Sequence, residues 1–305
     1  MKKLLVGILT IILTITLTAC GGGKSEDNKK VSADNKLNVY TTVFAFQSFI
    51  EQIGGKYVNV KSIYPKGTDI HSYEPTQKEM TNIAKSDLFV YSSDDMDPVA
   101  KKIGKAINKD DKKLQLTKDM AKKDMIKADE DEDTQHDPHV WLDPVLNKKF
   151  AKEIKDELIA KDSKHKQYYE DNYKKLIKDI DHIDQQMKDI SKNKKRDKVI
   201  ISHDSLGYLA KRYDFEQEGV NGMNDDEPSQ KKVMDIVKEI KKSKQPYVLY
   251  EQNIPHKTTD VIKSETDTKP LSFHNMAVLT KDDKDATYQS LMAKNIKTLR
   301  QALTE

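Results

Sequence analysis

Two hydrophobic periods alternate along this chain. From Leu37 onward, short runs rich in β-branched and aromatic residues are each followed by a stretch whose apolar positions fall three or four apart. That alternation reads as strand followed by helix. "LNVYTT" (37–42) predicts a strand, and "VFAFQSFIEQIG" an amphipathic helix stopping at Gly54-Gly55. "VNVKSIYP" (58–65) predicts a second strand, "PTQKEMTNIAKS" a helix with Pro75 near its start, and "LFVYSS" (88–93) a third strand. A helix around 98–107 and a short "LQLT" follow. Further on the alternation resumes with the strand "KVIISH" (198–203), the helix "DSLGYLAKRY", the acidic turn "NDDEPS" and the helix "QKKVMDIVKEIKKS". It closes with the strand "PYVLYEQ" (246–252), a helix from about Lys257, the strand "PLSF" (270–273) and a last helix from about Asp285 to Leu303.

The middle is helical throughout. Between Pro144 and Asp189, Phe150, Ile154, Leu158, Tyr168, Tyr169, Leu176, Ile180, Ile183 and Met187 are spaced by threes, fours or their sums, amid many Lys and Asp. "KDSKH" breaks the pattern and leaves a long second helix ending near Lys192. The spacing is not strict over enough heptads for a coiled coil, so this is a connecting helix that packs along both halves. The predicted class is α/β: two similar α/β lobes with central parallel sheets, joined by a long helix, with a ligand cleft between them. The lobes are expected at 37–160 and 196–305 and the connecting helix at 161–195. Ligands in such sheets bind outside the carboxyl ends of the strands or at domain interfaces.

The first residues change the picture of where the chain works. "MKKLLVGILTIILTITLTAC" has a basic start, an apolar run from Leu4 to Leu17 and small residues before Cys20. This is the layout of a secretory signal over 1–19, with an apolar core too short for a membrane span. "LTAC" resembles a bacterial lipobox, in which the cysteine becomes the lipidated first residue of the mature protein. Cys20 is the only cysteine and has no disulfide partner in the chain. Several acyl chains on that residue would anchor the protein, at roughly 0.8 kcal/mol per buried methylene. "GGGKSEDNKKVSADNK" (21–36) is nearly free of large apolar residues and reads, with Cys20, as a flexible tether over 20–36. The net charge is only +3, from 53 basic and 50 acidic residues, and the charges are interspersed. No basic face marks a nucleic-acid partner, and none is expected.

The histidines carry the candidate chemistry. His165 and His182 sit in the lysine-rich middle and read as helix-surface positions. His71 in "GTDIHSYEPT" lies between a strand and a helix, His203 ends "KVIISH", and His274 ends the segment "PLSFH". His139 lies in "QHDPHVWLDP", with Pro138 and Pro144 restricting the backbone and Trp141 available to pin the loop. A strand-end histidine alone is more often a satisfied or surface residue. Several, from separate loops of two similar halves facing one cleft, suit metal ligation: imidazole nitrogens at about 2.0–2.1 Å closing a tetrahedron with a further N or O donor. No cysteine can join them, and three imidazoles favour zinc over manganese or magnesium. Asp69, Asp137 or Asp204 could orient the rings by hydrogen bonds.

These segments together resemble a known family, the solute-binding lipoproteins of bacterial zinc and manganese ABC transporters. The likeness runs through "GTDIHSYEPT", "DPHVWLDP", "ISHDSLGYLAKRY" and "EPSQKKVMDIVKEIKK" over nearly the whole mature chain. The resemblance implies His71, His139 and His203 as metal ligands. It also implies a rigid helix between the lobes, and delivery of zinc to the permease and ATPase subunits of an importer from a lipid anchor on the outer face of the cell membrane. A monomer is expected. The fourth position departs from the pattern. The aspartate of manganese-type relatives falls on His274 and the glutamate of some zinc-type relatives on Ala277, which cannot ligate. His274 is the leading fourth ligand, with Glu251 or water as fallback. Where many zinc-type members carry a histidine-rich loop, this chain has the acidic "ADEDEDTQH", with His136 alone at its end. Three other readings compete: a manganese receptor, a surface adhesin, and a zinc-dependent hydrolase, though no HExxH or GxSxG motif supports hydrolysis and no enzyme is expected.

Overall fold

In the N-terminal half, the computed structural model, which describes residues 30–127 and 136–305, pairs β1 (Leu37–Thr41) with β2 (Val58–Ser62) and β3 (Leu88–Tyr91), and β3 with β4 (Lys113–Gln115), all parallel. In the C-terminal half, β5 (Lys198–His203) pairs with β6 (Glu216–Asn221) and β7 (Tyr247–Glu251), and β7 with β8 (Lys269–Phe273), again all parallel. The orders β2-β1-β3-β4 and β6-β5-β7-β8 are the same topology written twice. In each sheet the strand order reverses between the first strand and the third, the place where open sheets present ligands. The expected leader over 1–19, Cys20 and the tether as far as residue 29 lie outside the described residues, as does the acidic loop over 128–135.

The strand β6 has no counterpart in the sequence reading. "EQEGVN" carries two glutamates and a glycine and is exposed at its start; pairing with β5 forms it, not its own apolar pattern. Gly219 lets it approach: a Cβ there would sit 2.5–2.8 Å from Cβ, Cα and N of Asp204, in the turn after His203.

The helices are α1 (Phe44–Gly54), α2 (Gln77–Ala84), α3 (Pro98–Ala106), α4 (Pro144–Lys161), α5 (Lys166–Asn193), α6 (Gly207–Tyr213), α7 (Gln230–Ser243), α8 (Lys257–Ser264) and α9 (Tyr288–Thr304). The long helix α5 packs against α1, α4 and α9, burying Tyr169, Leu176, Ile180, Ile183 and Met187. One hydrophobic cluster runs through both halves, and a smaller one (Ile200, Val220, Ile236, Ile240, Val248, Ile262) lies under α7 and α8. Val31–Glu305 therefore form one compact unit.

Two ties across the halves fix the cleft. The start of α1 has no side-chain cap; the backbone N–H groups of Phe44 and Ala45 donate to the carbonyls of Ala277 and Met276, at 2.8 and 3.2 Å. These are orphan donors of a helix start, satisfied by a loop of the opposite half. The last helix returns to the first: Tyr288 N–H donates to Ser48 Oγ at 3.0 Å, and the Phe49 and Tyr288 rings meet edge to face at 5.0 Å.

Candidate metal centre

His71 comes from the loop after β2, His139 from the loop after β4 and His203 from the last residue of β5. The structure brings these three together: one ring nitrogen from each lies within 4.8 Å of the others. Ring centroids are 5.9 Å apart for His71 and His139, 5.3 Å for His71 and His203, and 4.8 Å for His139 and His203. Among the described residues this is the group of His, Cys, Asp and Glu side chains able to hold a metal ion.

The "DPHVWLDP" stretch explains how His139 is held. Asp137 Oδ1 accepts the His139 backbone N–H at 2.8 Å and lies 2.8 Å from its Nδ1. Such a carboxylate fixes the tautomer so that Nε2 carries the lone pair. Trp141 Nε1–H donates to the Asn275 carbonyl at 2.7 Å, tying the loop to the C-terminal half, and its ring packs 5.3 Å from His139. Asp143 caps α4 through the backbone N–H groups of Val145 and Leu146, with Pro144 at the first helical position. Arg212 of α6 holds the same Asp143 with Nε and a terminal nitrogen at 2.8 and 2.6 Å. The two aspartates of the motif are thus a ring orienter and a helix cap. His139 is 1% exposed, and its Nε2 is buried with no hydrogen-bond partner. A buried polar nitrogen left unpaired is costly unless something else occupies it.

His203 is held differently. Its Nδ1 lies 2.7 Å from Glu251 Oε2 and its Nε2 2.9 Å from the Met223 carbonyl. Glu251, at the end of β7, also accepts Ser205 Oγ–H at 2.5 Å. Burial works against the His203 charge, but Glu251's charge and hydrogen bond outweigh it and push the imidazole up to about 9. His139 moves the other way, well below the usual range, through burial first and the His203 charge second. Burial, then His203 and His139, bring His71 down to about 3. Asp137 is pushed up to about 7 by burial, against the lowering effect of its bond to the His139 backbone.

The other predicted residues lie elsewhere. His274 is not brought into the group: its Nδ1 accepts the Met276 N–H at 2.9 Å and its Nε2 lies 3.2 Å from Asp283. The loop turns away because Met276 takes a left-handed conformation (φ 57°) and the carbonyls of Met276 and Ala277 cap α1. Glu251 serves His203. Asp69 bonds the His71 backbone N–H and the Ser72 hydroxyl rather than a ring, and Asp204 faces Asp137, its carboxyl pushed up to about 6 by burial and that neighbour's charge. His136 is paired with Asp95 at 2.9 Å. His182 is exposed as expected, whereas His165 is half-buried, stacked on Tyr57 at 3.7 Å and bonded to Asp162. Sequence reasoning missed the Met223 and Asn275 carbonyls and the Ser205 hydroxyl. Backbone acceptors leave no residue-type signal.

Fold and site together define a two-lobed binding protein with an imidazole cluster at the meeting of its lobes. The chain belongs to the family described as zinc-uptake complex component A, periplasmic, which matches residues 39–302. It is 29% identical over 315 residues to a zinc-binding lipoprotein, AdcA, of Streptococcus pneumoniae strain R6, covering 99% of this chain and 61% of that protein. It is also 29% identical over 317 residues to the high-affinity zinc uptake system protein ZnuA of Bacillus subtilis, covering 97% of both. The crystal structure of the Zn(II)-bound ZnuA-like domain of S. pneumoniae AdcA superposes with a TM-score of 0.75 at 27% identity, over 88% of this chain and 100% of that domain. The chain thus spans about three fifths of the AdcA relatives it matches. These relatives are named as binding and uptake proteins, not as enzymes.

Proposed function

We propose that this protein captures zinc outside the cell at His71, His139 and His203 and delivers it to the permease and ATPase subunits of an importer. The observation that carries the reading is the buried, unpartnered Nε2 of His139 within 4.8 Å of ligand nitrogens from two other loops. A nitrogen-only trio supports zinc over manganese, and the relatives named for zinc binding support the same metal. In this reading residues 37–160 and 196–305 are the lobes and 161–195 the rigid connector. The receptor is a monomer, held on the outer face of the membrane by acyl chains on Cys20.

Calorimetric titration of zinc into the metal-free protein tests it. One site with a dissociation constant below about 1 µM is expected, weakened more than about 100-fold in His139→Ala, since even orienting partners of metal ligands cost 10–100-fold. If the variant binds as tightly as the wild type, the ligand assignment is wrong.

A further inference from the structure

Three imidazoles leave a tetrahedral cation one donor short. Among the described residues nothing joins the trio as a fourth: Ala277 has no donor, His274 has both ring nitrogens bonded, and the Glu251 carboxylate accepts from His203 and Ser205. His71 also borders a half-open cavity of about 500 Å³. That volume lies in the range of small-molecule pockets, roughly 300–1,000 Å³, and far exceeds the 30 Å³ or so of one water.

The walls say what class of molecule suits it. Tyr64, Met96, Val99 and Trp141 contribute apolar surface, Ser92 and Asn224 polar surface, and Asp97 and, from the C-terminal half, Asp226 are its carboxylates. No lysine or arginine lines the cavity, so a polyanionic chelator would meet carboxylates without a counter-charge. Asp97 is nine-tenths buried and held in place, accepting the Ala100 N–H at 2.8 Å as the cap of α3.

We propose that the cavity beside His71 holds a small amino-acid-type chelator that supplies the fourth donor to the captured cation through a carboxylate oxygen or imidazole nitrogen, its ammonium facing Asp97 and Asp226. When present, the chelator rather than water then completes the coordination of the captured ion. This rests on the zinc-capture reading of the histidine trio. It differs from a water-completed site in requiring the cavity, which the trio alone does not.

Equilibrium dialysis with radiolabelled L-histidine as probe tests the proposal on the full chain. The zinc-loaded protein is expected to retain about one L-histidine per zinc, and the metal-free protein none. Val99→Trp narrows the cavity at a half-buried position, and Asp226→Ala removes an exposed rim charge. Each is expected to cut retention at least fivefold while calorimetry shows zinc affinity, measured without L-histidine, within about twofold of wild type. A zinc-saturated wild type that retains no L-histidine overturns the proposal and leaves the trio reading standing. Equal retention by the metal-free protein, or by both variants, also overturns it. A wild type that binds no zinc breaks the trio reading first.

Discussion

Each half of the molecule buries one carboxylate against one histidine, and the two pairs behave oppositely. In the N-terminal half, Asp137 orients His139, the imidazole is held neutral by burial, and its Nε2 has no partner. In the C-terminal half, Glu251 holds His203 protonated, and its Nε2 is spent on the Met223 carbonyl. The difference lies in the carboxylates. Asp137 is itself poorly stabilised as an anion, with one oxygen buried and unpartnered, whereas Glu251 accepts from both His203 and Ser205. One ligand is ready for a metal; the other must give up a proton and a hydrogen bond.

The contrast breaks most directly at Glu251. A metal needs the imidazole lone pair, so while His203 is protonated below about 9, zinc binding must expel a proton. Wild-type affinity should therefore rise with pH up to about 9, with close to one proton released from His203 per zinc at neutral pH. Glu251→Gln removes the anion that holds the proton. Above about pH 9, where no proton competes in either protein, affinity should fall by about 10–100-fold, as for other orienting partners; at neutral pH the lost proton competition offsets part of that fall, and the proton released from His203 disappears. Titrations in two buffers of different ionisation enthalpy read both; an unchanged proton count contradicts the assignment.

Asp137→Asn sharpens the comparison with a smaller effect. Asparagine keeps an oxygen to accept the His139 backbone N–H, and its partner imidazole is already neutral. Zinc affinity should fall by less than about tenfold, the His203 proton should still be released, and the fraction of a proton that Asp137 holds near neutral pH should drop out of the count in the same titrations. Trp141→Phe should do least to the metal and act on the tie between the halves. Losing the bond to the buried Asn275 carbonyl should cost about 1 kcal/mol, read as a melting temperature lower by a few degrees.

The three convergent histidines were legible because each sits where a strand or a proline-bounded loop hands over to the next element, a local feature. The pairing of His139 with Asp137 was legible for the same reason, lying two residues away. His274 read equally well as a strand-end histidine, yet its loop is steered by capping bonds to α1, more than 200 residues away in sequence, which no local pattern contains. β6 was illegible because its polar sequence is made a strand by its neighbour β5 and by the room Gly219 leaves for Asp204. The last helix starts at Tyr288, not Asp285, because Asp285 takes a left-handed conformation and Thr287 forms a capping box with Ser290.

Zinc K-edge X-ray absorption on the protein loaded with one equivalent of zinc reads whether His71, His139 and His203 hold the metal together. Three imidazole nitrogens at about 2.0–2.1 Å and one further N or O donor are expected, with the imidazole count falling to two in His203→Ala. A wild-type spectrum with one imidazole or none, or an imidazole count unaffected by that substitution, would contradict that shared ligation.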